Sequence, residues 1–127
     1  MSSATGERFQ KAHEKLQSIE ASFTKLATDR ETLIAQFNEN KLVKSELAKM
    51  AEDAVIYKRT GSVLATTSVE EARSDVNSRI ERIETSLDSV QEKITKTEQE
   101  LKAQREAVLA ARQEFDKEKA RREARTQ

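Results

Sequence analysis

The sequence predicts a mainly α fold: a long antiparallel two-helix coiled coil whose arms are joined by a single β-hairpin. Three observations predict it. Apolar residues step by alternating threes and fours along two long stretches, one before residue 50 and one after residue 68. The segment between them, Val55–Thr67, switches to consecutive β-branched and apolar residues around a glycine. No proline and only two glycines interrupt the 127 residues, so nothing breaks either helix from within.

Composition sets the frame. Charged residues make up 36% of the chain and hydrophobic ones 35%, too little apolar material for an ordinary compact core, while the strict period argues against disorder. One elongated domain over 1–127 is expected. Basic and acidic residues number 23 each, for a formal net charge of zero. No global field recruits nucleic acid or an anionic membrane, and neither is expected as a partner. Cysteine is absent, which excludes disulfides and thiolate metal sites. The stretch from Met1 to Gly6 lacks the apolar core of a signal peptide, and no run approaches membrane-spanning length. A soluble cytoplasmic protein is the expectation.

The first helix is expected over about 7–50, starting after Gly6. Its seam is Phe9, Ala12, Leu16, Ile19, Phe23, Leu26, Leu33 and Phe37. A stripe this narrow, with charges on the other faces, is the seam of a coiled coil. Three polar positions interrupt it. Asn40 reads as a register-setting residue, and Arg30 and Lys44 as long side chains laying aliphatic stems along the seam.

The hairpin is expected over about 54–67. The runs Val55 to Lys58 and Ser62 to Ala65 flank a loop of Arg59, Thr60 and Gly61, with Gly61 supplying the positive φ of a tight turn. Apolar residues follow one another without clean alternation, so both faces of the ribbon need cover. A lone two-stranded hairpin is marginal in water and has two open edges. The chain has no third strand, so other subunits must supply the rest. Val55, Ile56, Tyr57, Val63 and Leu64 are the candidate assembly residues.

The second helix is expected over about 68–122. It opens on a capping box, in which the Ser68 hydroxyl accepts from the Glu71 amide and the Glu71 side chain reaches back. The seam resumes as Val69, Val76, Ile80, Ile83, Leu87, Val90, Ile94, Leu101, Val108 and Phe115. It turns polar at Thr97 and Gln104, which predicts looser zipping there. So short a joint forces the arms antiparallel. A fold centred near Thr60 sets Phe9 on Ala111, Ala12 on Val108, Ile19 on Leu101, Phe23 on Thr97, Leu26 on Ile94 and Leu33 on Leu87. A one-heptad slip, which sets Arg30 on Thr97, also gives workable layers.

Helix, hairpin and helix in this order resemble the β-type subunits of the prefoldin family, those of eukaryotes in particular. The residues that carry the resemblance are Glu39, Asn40, Val43, Glu46 and Leu47 before the hairpin, Val55 to Leu64 within it, and Glu71, Arg73, Arg79 and Ile80 after it. Ser62 stands where the family often has proline, and Arg59 and Thr60 stand where apolar residues are common. The resemblance implies a heterohexamer of two α-type and four β-type subunits, so the partners would be two α-type and three further β-type prefoldin subunits. Their hairpins would join into an intersubunit β-barrel from which the coiled-coil arms hang. The assembly would bind unfolded client polypeptides of the actin and tubulin class. It would pass them to the cytosolic group II chaperonin without ATP. No cofactor is implied.

The residues offer no competing chemistry. Two glycines, one of them near the N-terminus, cannot form a phosphate-binding loop. His13 reads as a solvated surface residue, and the many carboxylates sit on helices too thin to bury them and tune them for acid–base work. No catalytic, cofactor or metal residue is expected, and the protein is not expected to be an enzyme. The basic run from Lys117 to Arg125 complements a helix C-terminus or serves as a docking contact. Phe9, Leu16, Val108, Leu109 and Phe115, near the free ends, either close the last layers of the coil or fray to expose apolar surface for clients. A coiled-coil scaffold or tether without client binding is the alternative reading, although a tether has no use for an apolar ribbon with open edges.

Overall fold

The computed structural model describes residues 3–126. Met1, Ser2 and Gln127 lie outside them, and with them part of the stretch on which the signal-peptide argument rests. The element order is α1 (Ala4–Ala48), β1 (Val55–Thr60), β2 (Val63–Ser68) and α2 (Val69–Arg125). Two long helices and one antiparallel hairpin are thus the fold that the period of the sequence predicts.

The first helix begins earlier than expected because Ser3 caps it. Its hydroxyl accepts from the Gly6 amide at 2.9 Å and its carbonyl from the Glu7 amide at 3.0 Å, which satisfies donors that a helix N-terminus otherwise leaves bare. Gly6 therefore lies inside the first turn. A Cβ there would stand 3.2 Å from a ring carbon of Phe115, so the glycine leaves space for the aromatic side chain. At the other end α1 stops at Ala48, and tight i→i−3 bonds from Lys49 to Glu46 and from Met50 to Leu47 close its last turn.

The strands are longer and the loop shorter than the sequence predicts. Pairing runs from Val55 opposite Ser68 to Thr60 opposite Val63, so Arg59 and Thr60 belong to the strand and Gly61–Ser62 alone make the turn. Gly61 has φ of 64° and no other described residue has positive φ, which is the pattern of a type II′ turn with glycine first. Nothing lies within 4 Å of a Cβ placed on Gly61. Gly61→Ala should therefore cost only the backbone term, about 1–2 kcal/mol, read as a lower urea midpoint with unchanged slope. A larger loss would mean that the loop makes contacts beyond its own turn.

The second helix starts where the capping box places it. The Glu71 amide donates to the Ser68 hydroxyl at 3.1 Å, while the Glu71 carboxylate reaches one residue further back and accepts from the Thr67 hydroxyl at 2.8 Å. The helix runs to Arg125, beyond the expected end, and carries Arg122 and Arg125 in its last turn, where cations complement the dipole.

The chain divides into two compact units. In the unit Asp29–Gln91, Leu47, Val76 and Ile80 form a buried cluster with Phe37, Ile56 and Ala72 packed against it, and Val69 is fully buried. Asn40 sets no cross-helix bond here: its amide donates to the Gln36 carbonyl of its own helix at 2.8 Å. Arg30 and Lys44 are exposed. In the other unit, residues up to Thr28 pair with those from Glu92 onward, and Ile94 and Leu101 are buried. Phe9 lies on Phe115, with ring centroids 6.0 Å apart, one turn beyond the Ala111 expected, because Gly6 makes room for the second ring. Gln104 does not loosen this unit. It is only 9% exposed, and its amide donates to the Ala12 carbonyl at 2.8 Å, so a buried polar side chain is satisfied and bonds the two helices together.

Candidate assembly surface

In an antiparallel pair, residues directly opposite each other share a face. The register therefore divides the hairpin. Val55, Tyr57, Arg59, Leu64, Thr66 and Ser68 form one face, and Ile56, Lys58, Thr60, Val63, Ala65 and Thr67 the other. The second face turns its base toward the helices: Ile56 packs on the Leu47, Val76 and Ile80 cluster, and Lys58 Nζ meets Asp75 Oδ2 at 3.4 Å. The first face is bare. Val55 is 62% exposed, Tyr57 69% and Leu64 66%, and beyond the packed base Val63 is exposed as well.

Four of the five assembly residues that the sequence singles out are thus uncovered, and Ile56 is the exception. Its side chain belongs to the chain's own core. Apolar adjacency in the sequence hides this division, because Ile56 and Tyr57 read alike until the register assigns them to opposite faces. The sheet has only two strands, so among the described residues neither outer edge meets another strand, and the backbone groups along both remain open to pairing.

What ties α2 to the end of α1 at the base of the ribbon is partly invisible in the apolar pattern. Arg73 of α2 donates from Nε and Nη2 to the Leu47 carbonyl at 3.2 and 2.9 Å, from Nη2 to the Met50 carbonyl at 3.1 Å, and from Nη1 to Glu52 Oε1 at 2.8 Å. Helix α1 has no basic residue in its last turn and no glycine between it and β1, so it lacks the usual C-terminal caps beyond the amides of its own last turn. Arg73 supplies them from the opposite helix. That missing cap was the signal in the sequence.

Off the seam, Leu42 is 63% exposed, and Val43 and Met50 are exposed too. Val43 lines a cleft of about 200 Å³ with Ile56, Tyr57, Asp75, Val76 and Arg79.

At the free ends, Phe9, Leu16, Val108 and Phe115 are half-buried and Leu109 is 57% exposed. Arg8 meets Glu114 at 3.6 Å, and the Thr5 hydroxyl bonds the Glu118 carboxylate. Apart from Leu109, these residues close the last layers of the helix pair. His13 is exposed. Among the described residues no group of three or more His, Cys, Asp or Glu side chains could hold a metal ion, and no helix is long and apolar enough to cross a membrane.

The family model described as "Prefoldin subunit" matches residues 10–115. Prefoldin subunit 6 of Saccharomyces cerevisiae is 37% identical over 73 residues, which cover 58% of this chain and 64% of that protein. The probable prefoldin subunit 6 of Drosophila melanogaster is 38% identical over 88 residues, covering 69% and 70%. Prefoldin subunit 6 of Homo sapiens is 35% identical over 74 residues, covering 58% and 57%. The match thus spans just under two thirds of the yeast relative and little more than half of the human one. The crystal structure of the prefoldin beta subunit from Thermococcus strain KS-1 aligns with a TM-score of 0.73 at 21% identity, over 81% of this chain and 90% of that one, and so shares its fold.

Proposed function

The chain belongs to the prefoldin subunit family, and on that premise we propose that it is a β-type subunit of a heterohexameric, ATP-independent co-chaperone. That family is one of chaperone subunits and not of enzymes. The observation that carries the proposal is the bare hairpin face of Val55, Tyr57 and Leu64, beside strand edges that have no partner among the described residues. Large apolar side chains presented together on a two-stranded ribbon are unstable in water unless another surface covers them. Two α-type and three further β-type prefoldin subunits are the partners that would do so, by adding strands to an intersubunit β-barrel.

Unfolded polypeptides of the actin and tubulin class are the proposed clients, and the cytosolic group II chaperonin is the proposed recipient, which makes the cytoplasm the working compartment. Client capture is assigned to the free ends. Leu109 offers exposed apolar surface there, and the layers of Phe9, Leu16, Val108 and Phe115 offer more when the ends fray. Several weak contacts, one per arm, would add up through effective concentration.

Co-expression with the five partner subunits tests this. The expected result is a heterohexamer by native mass that suppresses aggregation of denatured actin equally with and without ATP. Removing residues 1–12 and 112–127 should leave assembly intact and reduce suppression, more so as further arms are trimmed. Unchanged suppression with every arm trimmed would refute the client assignment. A chain that forms only its own coiled coil and joins no hexamer would favour a scaffold or tether instead.

A further inference from the structure

The bare face of the hairpin carries one charge. Arg59 stands opposite Leu64 on the face that also holds Val55 and Tyr57, and the other residues of that face are uncharged. The second cation of the ribbon, Lys58, lies on the opposite face and is already matched by Asp75 at 3.4 Å. Among the described residues no carboxylate forms an ion pair with Arg59. The hairpin from Val55 to Ser68 contains no Asp or Glu at all.

Covering Val55, Tyr57 and Leu64 brings a second surface against Arg59 and removes water from part of its guanidinium. A charge that loses water without gaining a partner opposes association, whereas a planar guanidinium set against a carboxylate gains two parallel hydrogen bonds. Resting on the reading that this hairpin joins an intersubunit sheet, we propose that the strand covering this face belongs to a different prefoldin subunit and sets an Asp or Glu carboxylate against Arg59. A second copy of this chain does not fit the role. Its bare face holds the same Arg59 and no acid, so two copies face to face set positive charge against positive charge. The same feature thus attracts an acidic strand and discourages self-pairing.

The test measures affinity of this chain for the remaining co-expressed subunits. Arg59→Glu should weaken binding by about a hundredfold and Arg59→Leu by about tenfold, since each leaves the partner carboxylate unmatched and the first also repels it. Arg59→Lys should bind within about threefold of the parent and keep a point charge in place. In that variant a zero-length carbodiimide should couple the introduced amine to an acidic hairpin residue of one partner subunit, located by peptide mass. Parent-like binding by Arg59→Glu would overturn the proposal, as would coupling only to a second copy of this chain. Those outcomes leave the assembly reading standing, because the parent chain still binds its partners. Failure of the parent to bind any of them would remove that reading and this inference together.

Discussion

Replacing Tyr57 and Leu64 together by Asp should abolish incorporation into the hexamer while the helical signal in circular dichroism stays within about a tenth of the parent. Both side chains are about two-thirds exposed in the isolated chain, so the substitutions remove little that the chain's own fold uses. In the assembly, the carboxylate at position 57 would sit in a covered apolar surface, and the one at position 64 would face Arg59 of its own strand pair and withhold that guanidinium from a partner. The first costs several kcal/mol there unless paired, and both substitutions forfeit the gain of about 1.5–3 kcal/mol that burying each original side chain offers. The sum is enough to empty the bound state at micromolar concentrations.

Ile56→Asp is the contrasting variant. It places a charge against Leu47, Val76 and Ile80 and should lower the stability of the isolated chain by about 3 kcal/mol or more, visible as an earlier urea transition. If Tyr57→Asp with Leu64→Asp assembles normally, the bare face is not the interface. If it instead unfolds the chain as Ile56→Asp does, the division of the ribbon into a covered and a bare face is wrong.

Arg73→Ala should destabilise the unit Asp29–Gln91 by about 2–3 kcal/mol. The guanidinium makes three bonds to the Leu47 and Met50 carbonyls, and hydrogen bonds to a charged group contribute about 1.5–3 kcal/mol each when well buried. The Arg73 side chain is 31% exposed, which lowers the return per bond. Its ion pair with Glu52 adds little, because that carboxylate is 83% exposed and screened by solvent. The loss should be local as well as global: amide exchange at Lys49 and Met50, in the tight turns after α1, should speed up before the rest of the unit responds. Glu52→Ala should change stability by less than about 0.5 kcal/mol. Arg73→Lys should recover only part of the loss, since one ammonium cannot span both carbonyls and the carboxylate at once. Equal effects from Arg73→Ala and Glu52→Ala would show that the ion pair, and not the carbonyl cap, holds the turn.

These two variants divide along the line between what was legible in the sequence and what was not. The alternation of threes and fours specified both helices, because a stripe of apolar residues at that period has no other way to leave water. Gly61 between two β-branched runs specified the hairpin, and Ser68 with Glu71 specified the start of α2. Each of these is a local property, decided by residues within a few positions of one another. The lack of cover on the ribbon was legible too, as an excess of apolar residues that two strands cannot bury.

Three-dimensional packing decided the rest, since it depended on residues far apart in the chain. The loop shortened to Gly61–Ser62 because cross-strand pairing extended through Thr60 and Val63, and that register alone assigned Ile56 to the chain's own core and Tyr57 to the bare face. Phe9 met Phe115 because Gly6 opened a space that no period records. Gln104, polar in a position that predicts loosening, tightened the helix pair because a carbonyl on the other helix, that of Ala12, stood within 2.8 Å. Arg73 capped a helix to which it does not belong. A sequence states which side chains are polar, but whether a polar group weakens or joins two helices depends on what stands opposite, and only the tertiary structure supplies the opposite side.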